Sequence, residues 1–285
     1  MTGIHQDPVA PGSPQWWLSR SQREEKPKGP GRPAASFDKI ISTALEAIDA
    51  VGYQAFNMRM LAENLNSGTA TLYRHVASKE EILVYVVDRM LGEIELDDDA
   101  LARLPWQEAC TRAATAFYKV LSRHPRIVPA LVTQIPVGPN GRRNRERLIA
   151  ILLAGGFSPE MAACAYATMA HYVVGFAIQH SAADHAISEH HAELRESFSA
   201  LDAADYPATV RVARELAGIS FDDQFLFGFK LIITGLVQAR KARAAASGPS
   251  VNSSQLKAKP GAVANRTRSA RSPGPSKHVP PRPRS

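Results

Sequence analysis

Residues 57–81, NMRMLAENLNSGTATLYRHVASKEE, constrain the fold more than any other part of the chain. Apolar residues at helical spacing (Met58, Leu61, Ala62, Leu65) stop at Asn66-Ser67-Gly68, and a second short pattern resumes at once with Thr69, Leu72, Tyr73 and Val76. Two helices joined by so short a break must turn sharply and pack on each other. The second then projects outward as a rigid probe.

The flanking sequence supplies the helices that such a pair needs for support. Phe37, Ile40, Ile41, Ala44, Leu45, Ile48 and Val51 fall at helical spacing, with Ser36 as a candidate N-cap and Gly52 as a C-terminal stop. Ser78-Lys79-Glu80-Glu81 reads as a capping box opening a longer helix to about Ile94. The acidic break Asp97-Asp98-Asp99 separates this unit from further helices near 106–124, 126–134, 142–155, 158–183, 205–217 and 222–245. Ser158-Pro159 opens the fourth of these with a cap residue and a proline at the first helical position. No alternating strand pattern competes, so the expected class is all-α. Four segments follow: a disordered basic arm at 1–35, a three-helix helix-turn-helix unit with its linking helix at 36–96, a larger helical body at 97–246, and a disordered basic tail at 247–285.

Charge and composition narrow the function. The net charge is +7, yet the tail holds eight Lys or Arg and no acid, and the arm contributes +2, which leaves −3 for the residues between. The folded part is not broadly basic, so charge alone does not identify a nucleic-acid surface. No apolar run reaches the roughly 18 residues of a membrane span, and the first residues lack the apolar stretch of a signal peptide, so cytoplasmic residence without membrane contact is expected. Cys110 and Cys164 each sit singly in a helical pattern and read as reduced helix residues. No Ser/His/Asp or paired-carboxylate constellation and no Gly-rich phosphate loop is present, which argues against an enzyme.

The second helix of a helix-turn-helix fits a DNA major groove. Thr69, Ala70 and Thr71 are small enough to let backbone and hydroxyls approach base edges, whereas Tyr73, His75 and Lys79 are donors suited to phosphates. Arg59, at the start of the first helix, reaches either a guanine or the backbone. The same shape also occurs in bundles that touch no DNA, where Tyr73 would be a half-buried core aromatic.

LAENLNSGTATLYRHVASKEEIL resembles the signature of the TetR (tetracycline-repressor) family of bacterial transcription regulators. That family's recognition helix matches residues 69–75. The match implies base contacts for Arg59, Thr69, Ala70 and Thr71, and phosphate contacts for Tyr73, His75 and Lys79. Asn66 stands where the family usually has Gly, and Asn also tolerates a left-handed backbone. Arg74 falls at a variable position, so its role stays open.

LSRHP (121–125), GGFSPE (155–160), HYVVGFAIQ (171–179) and FLFGFKLIITGL (225–236) resemble the C-terminal domain of the tetracycline-repressor subgroup. The resemblance implies a homodimer sealed by a four-helix bundle. Phe225, Gly228, Phe229, Ile232, Gly235 and Leu236 are its expected seam, with a helix buried inside one subunit as the alternative. It also implies an effector pocket. Phe117 and His171 match the pocket's aromatic and one polar contact, while positions that hold the subgroup's magnesium–drug chelate fall on Ala113, Leu131, Ile135 and Gln179. The expected effector is therefore a small, more apolar molecule needing no metal cofactor. Phe117, Leu131 and Ile135 would contact it, with Glu95, His171 and Gln179 as polar anchors.

Other readings concern the edges of this scheme. His180, Asp184, His185, His190 and His191 include enough ligand types for zinc, but their spacing matches no closed site and a solvated loop is preferred. Arg32, in the Gly-Arg-Pro core of the arm, would suit a minor groove, and the tail would add sequence-independent phosphate attraction. The reading is a homodimeric repressor on a palindromic double-stranded DNA operator, released by a small-molecule effector. A ligand-independent architectural DNA-binding protein is its alternative, and a histidine metalloenzyme a more distant rival.

Overall fold

The computed structural model describes residues 9–24, 35–183 and 191–246, and among them every regular element is a helix. The head consists of α2 (Ala35–Val51), α3 (Met58–Asn64), α4 (Thr69–Leu72) and the linking helix α5 (Lys79–Gly92), preceded by α1 (Pro14–Glu24). The body follows as α6 (Asp98–Ala102), α7 (Trp106–Arg123), α8 (Ala130–Thr133), α9 (Pro139–Ala154), α10 (Pro159–Ala183), α11 (His191–Ser199), α12 (Pro207–Arg211), α13 (Ala213–Gly218) and α14 (Phe221–Ala246). The described residues up to Arg243 form one compact unit, with no division near 96/97.

Local chemistry explains the head. Asn66 has a φ of 49°, the left-handed conformation that the turn between α3 and α4 requires. Gly52 closes α2 at φ 81°. Ser78 Oγ accepts the Glu81 N–H at 3.2 Å, as a capping box demands, but the Glu81 carboxylate takes the amide of Ala77 (2.7 Å), one residue earlier than the motif specifies. Ile48, Phe56, Leu61, Leu72 and Ile82 are fully buried together and fix how the four helices pack.

The arm expected to be disordered contains α1. Trp16 and Trp17 are buried against Val84, with Tyr85 and Val137 packed at the edge of the cluster, and Arg20 pairs with Glu81, a carboxylate only 1% exposed. Two indoles supply enough apolar surface to order a helix that its polar neighbours would not. The Gly-Arg-Pro segment around Arg32 and the tail at 247–285 lie outside the described residues.

The body also departs from the sequence expectation in detail. The segment 126–134 is helical only over α8, the segment 205–217 splits into α12 and α13, and α6 and α11 were not anticipated. Ser158 does cap α10, accepting from Met161 N at 3.3 Å. Within α10, Pro159–His180 is long and apolar enough to cross a membrane by length and composition, which corrects the reading that no such run exists. Its inner side packs on α7 and α9. Both cysteines are free, as expected, and burial pushes the Cys110 thiol up to about 12.

Candidate nucleic-acid interface and ligand cavity

The residues expected to contact DNA reach the outer surface of the head to different extents. Arg59, Thr69, Ala70 and Tyr73 are exposed, with Thr71, His75 and Lys79 half-buried at its edge. Leu72 is 1% exposed and is the apolar peg that sets the rotation of α4. Arg74 donates to Thr71 Oγ1 at 3.0 Å, so it organises the same surface. The Lys79 ammonium lies 4.4 Å from the centroid of Tyr53 and donates to the Gln54 carbonyl at 3.4 Å. That aromatic contact holds the charge beside the loop between α2 and α3.

In the body, α5, α7, α9, α10 and the segment around α8 enclose a cavity of about 670 Å³, a size suited to a drug-sized molecule. Phe117, Leu131, Ile135 and His171 all line it, together with Ala113. Glu95 and Gln179 do not. Glu95 faces a separate, open trough with Arg89, Glu93 and His180, and Gln179 is exposed beyond Ile178, the last cavity residue of α10. Among the polar groups that the sequence did not reveal, Asn144, Arg145 and Arg147 are on α9, Gln134 precedes it and Tyr166 is on α10.

Two polar junctions tie the body to the head. The Asp88 carboxylate of α5 accepts the amides of Asn140 and Gly141, both at 3.1 Å, and so caps the first turn of α9 from another helix. Asn140 Nδ2 returns to the Asp88 carbonyl at 3.0 Å and Asn144 Nδ2 to the Leu91 carbonyl at 2.8 Å. Burial raises the Asp88 pKa, while the bonds from Gly141 and Asn140 oppose the rise. The second junction is His124, just past α7, whose Nδ1 lies 2.6 Å from Asp49 of α2 and whose Nε2 lies 3.0 Å from Glu93 at the end of α5. The bond to Asp49 holds the imidazole above its usual range, with burial opposing and Glu93 assisting.

The residues expected at a dimer seam are divided between the interior of the chain and its surface. Phe225 and Phe229 are each 1% exposed and belong to an aromatic cluster within the subunit: Tyr118 stacks on Phe225 at 4.2 Å, and the Tyr172 hydroxyl donates to the Phe225 carbonyl at 2.9 Å. Gly228 is small because a Cβ there would meet that Tyr172 hydroxyl. Ile232 and Leu236 are half-buried, and Gly235 faces open space. The outward face of α14 instead carries Leu226, Phe227 and Leu231. His180 bonds Tyr118 Oη through Nδ1 at 2.9 Å, and no cluster of metal-binding side chains occurs among the described residues. Asp184, His185 and His190 lie outside them, as does the side chain of His191.

Residues 40–86 match the family described as bacterial regulatory proteins, tetR family, and residues 102–240 match the tetracyclin repressor-like C-terminal domain, together more than half of the chain. The chain belongs to the TetR family. A TetR-family relative, an HTH-type transcriptional regulator of Saccharopolyspora erythraea, is 29% identical over 73% of this chain and 86% of its own length. The transcriptional repressor DrrR1 of Streptomyces coeruleorubidus is 27% identical over 78% and 84%. Among solved structures, the TetR family protein ActR of Streptomyces coelicolor in complex with actinorhodin superposes with a TM-score of 0.63 at 29% identity, over 72% of this chain and 97% of that one. These domains and relatives are those of TetR-family transcriptional repressors rather than enzymes.

Proposed function

We propose that this TetR-family protein is a cytoplasmic homodimeric repressor that holds a palindromic operator through two copies of the α4 surface and leaves it when a small, largely apolar molecule enters the cavity. The observation that carries the reading is the hydrogen-bonded junction between α9, a cavity wall, and α5, the helix leading from the recognition surface. A ligand that fits best when α9 has shifted must also favour a shifted α5, and operator affinity falls by the same factor that operator lowers ligand affinity. That ActR, a TetR family protein, forms a complex with actinorhodin supports a ligand-responsive reading of this chain.

The outward face of α14 and the apolar helix α10 support a dimer. Phe227 and Leu231 are 68% and 58% exposed, and only 28% of the apolar window of α10 is buried within one subunit. Faces of that kind cost free energy in water and are covered by a second copy in a twofold arrangement, which a palindromic operator also requires. Ile232 and Leu236 lie at the margin of that seam.

The test uses DNA selected by the protein from a random pool. Release by polyaromatic compounds is expected to be unaffected by EDTA. Phe117→Ala is expected to raise the dose about tenfold through loss of one ring contact. Tight, magnesium-dependent release by tetracycline would instead assign the cavity to a metal chelate.

A further inference from the structure

We infer that the effector carries an acidic group that pairs with Arg145, an inference that rests on the ligand-response reading above. The cavity is lined by two cations and, among its described residues, by no carboxylate. Arg147 is already satisfied: its guanidinium makes a forked pair with Asp98, with one arm at 3.1 Å. Arg145 has no such partner. Its Nη2 donates to the Pro136 carbonyl at 2.8 Å and its Nε lies 3.4 Å from the Tyr166 hydroxyl, and both partners are neutral. The remaining N–H groups of its fork have no acceptor among the described residues, and the side chain is held in place by the two that do.

The alternative ligand, neutral throughout, fares worse on energetic grounds. A ring system filling an apolar cavity expels the water that hydrates Arg145. Stripping a guanidinium of water without replacing it costs more than one added ring contact returns. A carboxylate, sulfonate or acidic phenol at the same place replaces that water with charge-assisted hydrogen bonds, and the planar fork accommodates two acceptor oxygens together. The other polar groups lining the cavity near its rim, Asn144 and Gln134, are amides with N–H groups to donate and so do not oppose an anion. The position of Arg145 also links recognition to response. Pro136 belongs to the cavity rim, and a Cβ at Gly141 would meet its carbonyl oxygen at 2.5 Å, so the rim rests on the turn of α9 that Asp88 caps. An anion drawing on Arg145 pulls at the side chain that fastens this rim.

Two fluorescent probes that share a ring framework test the inference: anilinonaphthalene sulfonate, which is anionic, and N-phenylnaphthylamine, which is neutral. The full chain is expected to bind the sulfonate roughly tenfold or more tightly than the amine, the worth of a charge-assisted pair. Arg145→Met should erase the preference by weakening the sulfonate alone, and Arg145→Lys should retain part of it, with helical circular dichroism verifying that both variants fold. Phe117→Ala should weaken both probes, which places them in the cavity. Equal affinities in the unmodified protein, or a preference that survives Arg145→Met, would overturn the acidic-group assignment while leaving an apolar cavity in place. Insensitivity of both probes to Phe117→Ala would remove the ligand-response reading on which it rests.

Discussion

The recognition helix α4 and the last helix α14 make an instructive pair, because the rotation of one is fixed by its own residues and that of the other by its neighbours. In α4 a single buried residue, Leu72, lies among polar or small neighbours, so only one rotation about the helix axis is tolerable and the set of outward residues follows from it. In α14, Phe225, Leu226, Phe227, Phe229, Leu231, Ile232 and Ile233 leave no polar side within two turns. Any of several rotations buries a comparable apolar area. What selects one is Tyr118 and Tyr172, on α7 and α10, whose stacking and hydrogen bonding draw Phe225 and Phe229 inward. Rotational phase is legible when a helix is polar on most sides and is set by its neighbours when it is not.

The strongest way to break this contrast is to place an acid on each face of α14. Phe229→Asp should destabilise the subunit by roughly 3–5 kcal/mol or prevent folding, since it removes a buried ring and strands a charge in its place. Phe227→Asp, at a position 68% exposed, should leave the urea midpoint of the subunit nearly unchanged and convert dimers to monomers in sedimentation. A folded dimer from the first variant, or an unfolded chain from the second, would reverse the assignment of the two faces.

The head–body junction at His124 offers an effect of intermediate size. Its pKa is raised in the folded protein, chiefly by Asp49, so the native state holds the proton more tightly than the unfolded chain. The stabilisation is complete below the ordinary histidine value of about 6.5 and is lost as pH rises through the higher folded value. Denaturation measured from about pH 6 to 9 should show stability falling with pH. His124→Gln should flatten the profile and cost on the order of 1–3 kcal/mol at its acid end.

Smaller changes are expected at the DNA surface, where each side chain contributes one contact among many. Lys79→Ala and Tyr73→Phe should weaken operator and random DNA alike, the former lowering the slope of log K against log salt by about one unit. Thr69→Ala should leave random-DNA affinity intact and alter which base is preferred at one operator position. A uniform loss from Thr69→Ala, or altered base preference from Lys79→Ala, would exchange the two roles.

Much of the head was legible because its signals are local. The turn at Asn66, the cap at Ser78 and the stop at Gly52 each depend on a few adjacent residues. The cavity was half legible: Phe117, Leu131, Ile135 and His171 line it, whereas Glu95 faces another trough although its neighbours Ile94 and Leu96 line the cavity, and Gln179 lies one residue past Ile178, the last cavity residue of its helix. Arg145, Asp88 and His124 were missed because their roles depend on partners outside their own helices, at Pro136 and far along the chain at Asn140 and Asp49. Asp88 did leave a trace, as an acid within the apolar run VYVVDRML, where an unpartnered carboxylate could not be buried. Trp16-Trp17 left another, since two large aromatics in a polar arm need a surface to cover.

That arm has an optical consequence. Of the three tryptophans in the chain, two meet edge-to-face in the junction where α1 meets α5 and Val137, and the third, Trp106, packs against Phe157 in the body. The protein thus carries a built-in fluorophore pair at the seam between its reading and sensing parts. A shift of their emission to longer wavelength would report loosening of α1 directly, with neither a label nor DNA in the cuvette.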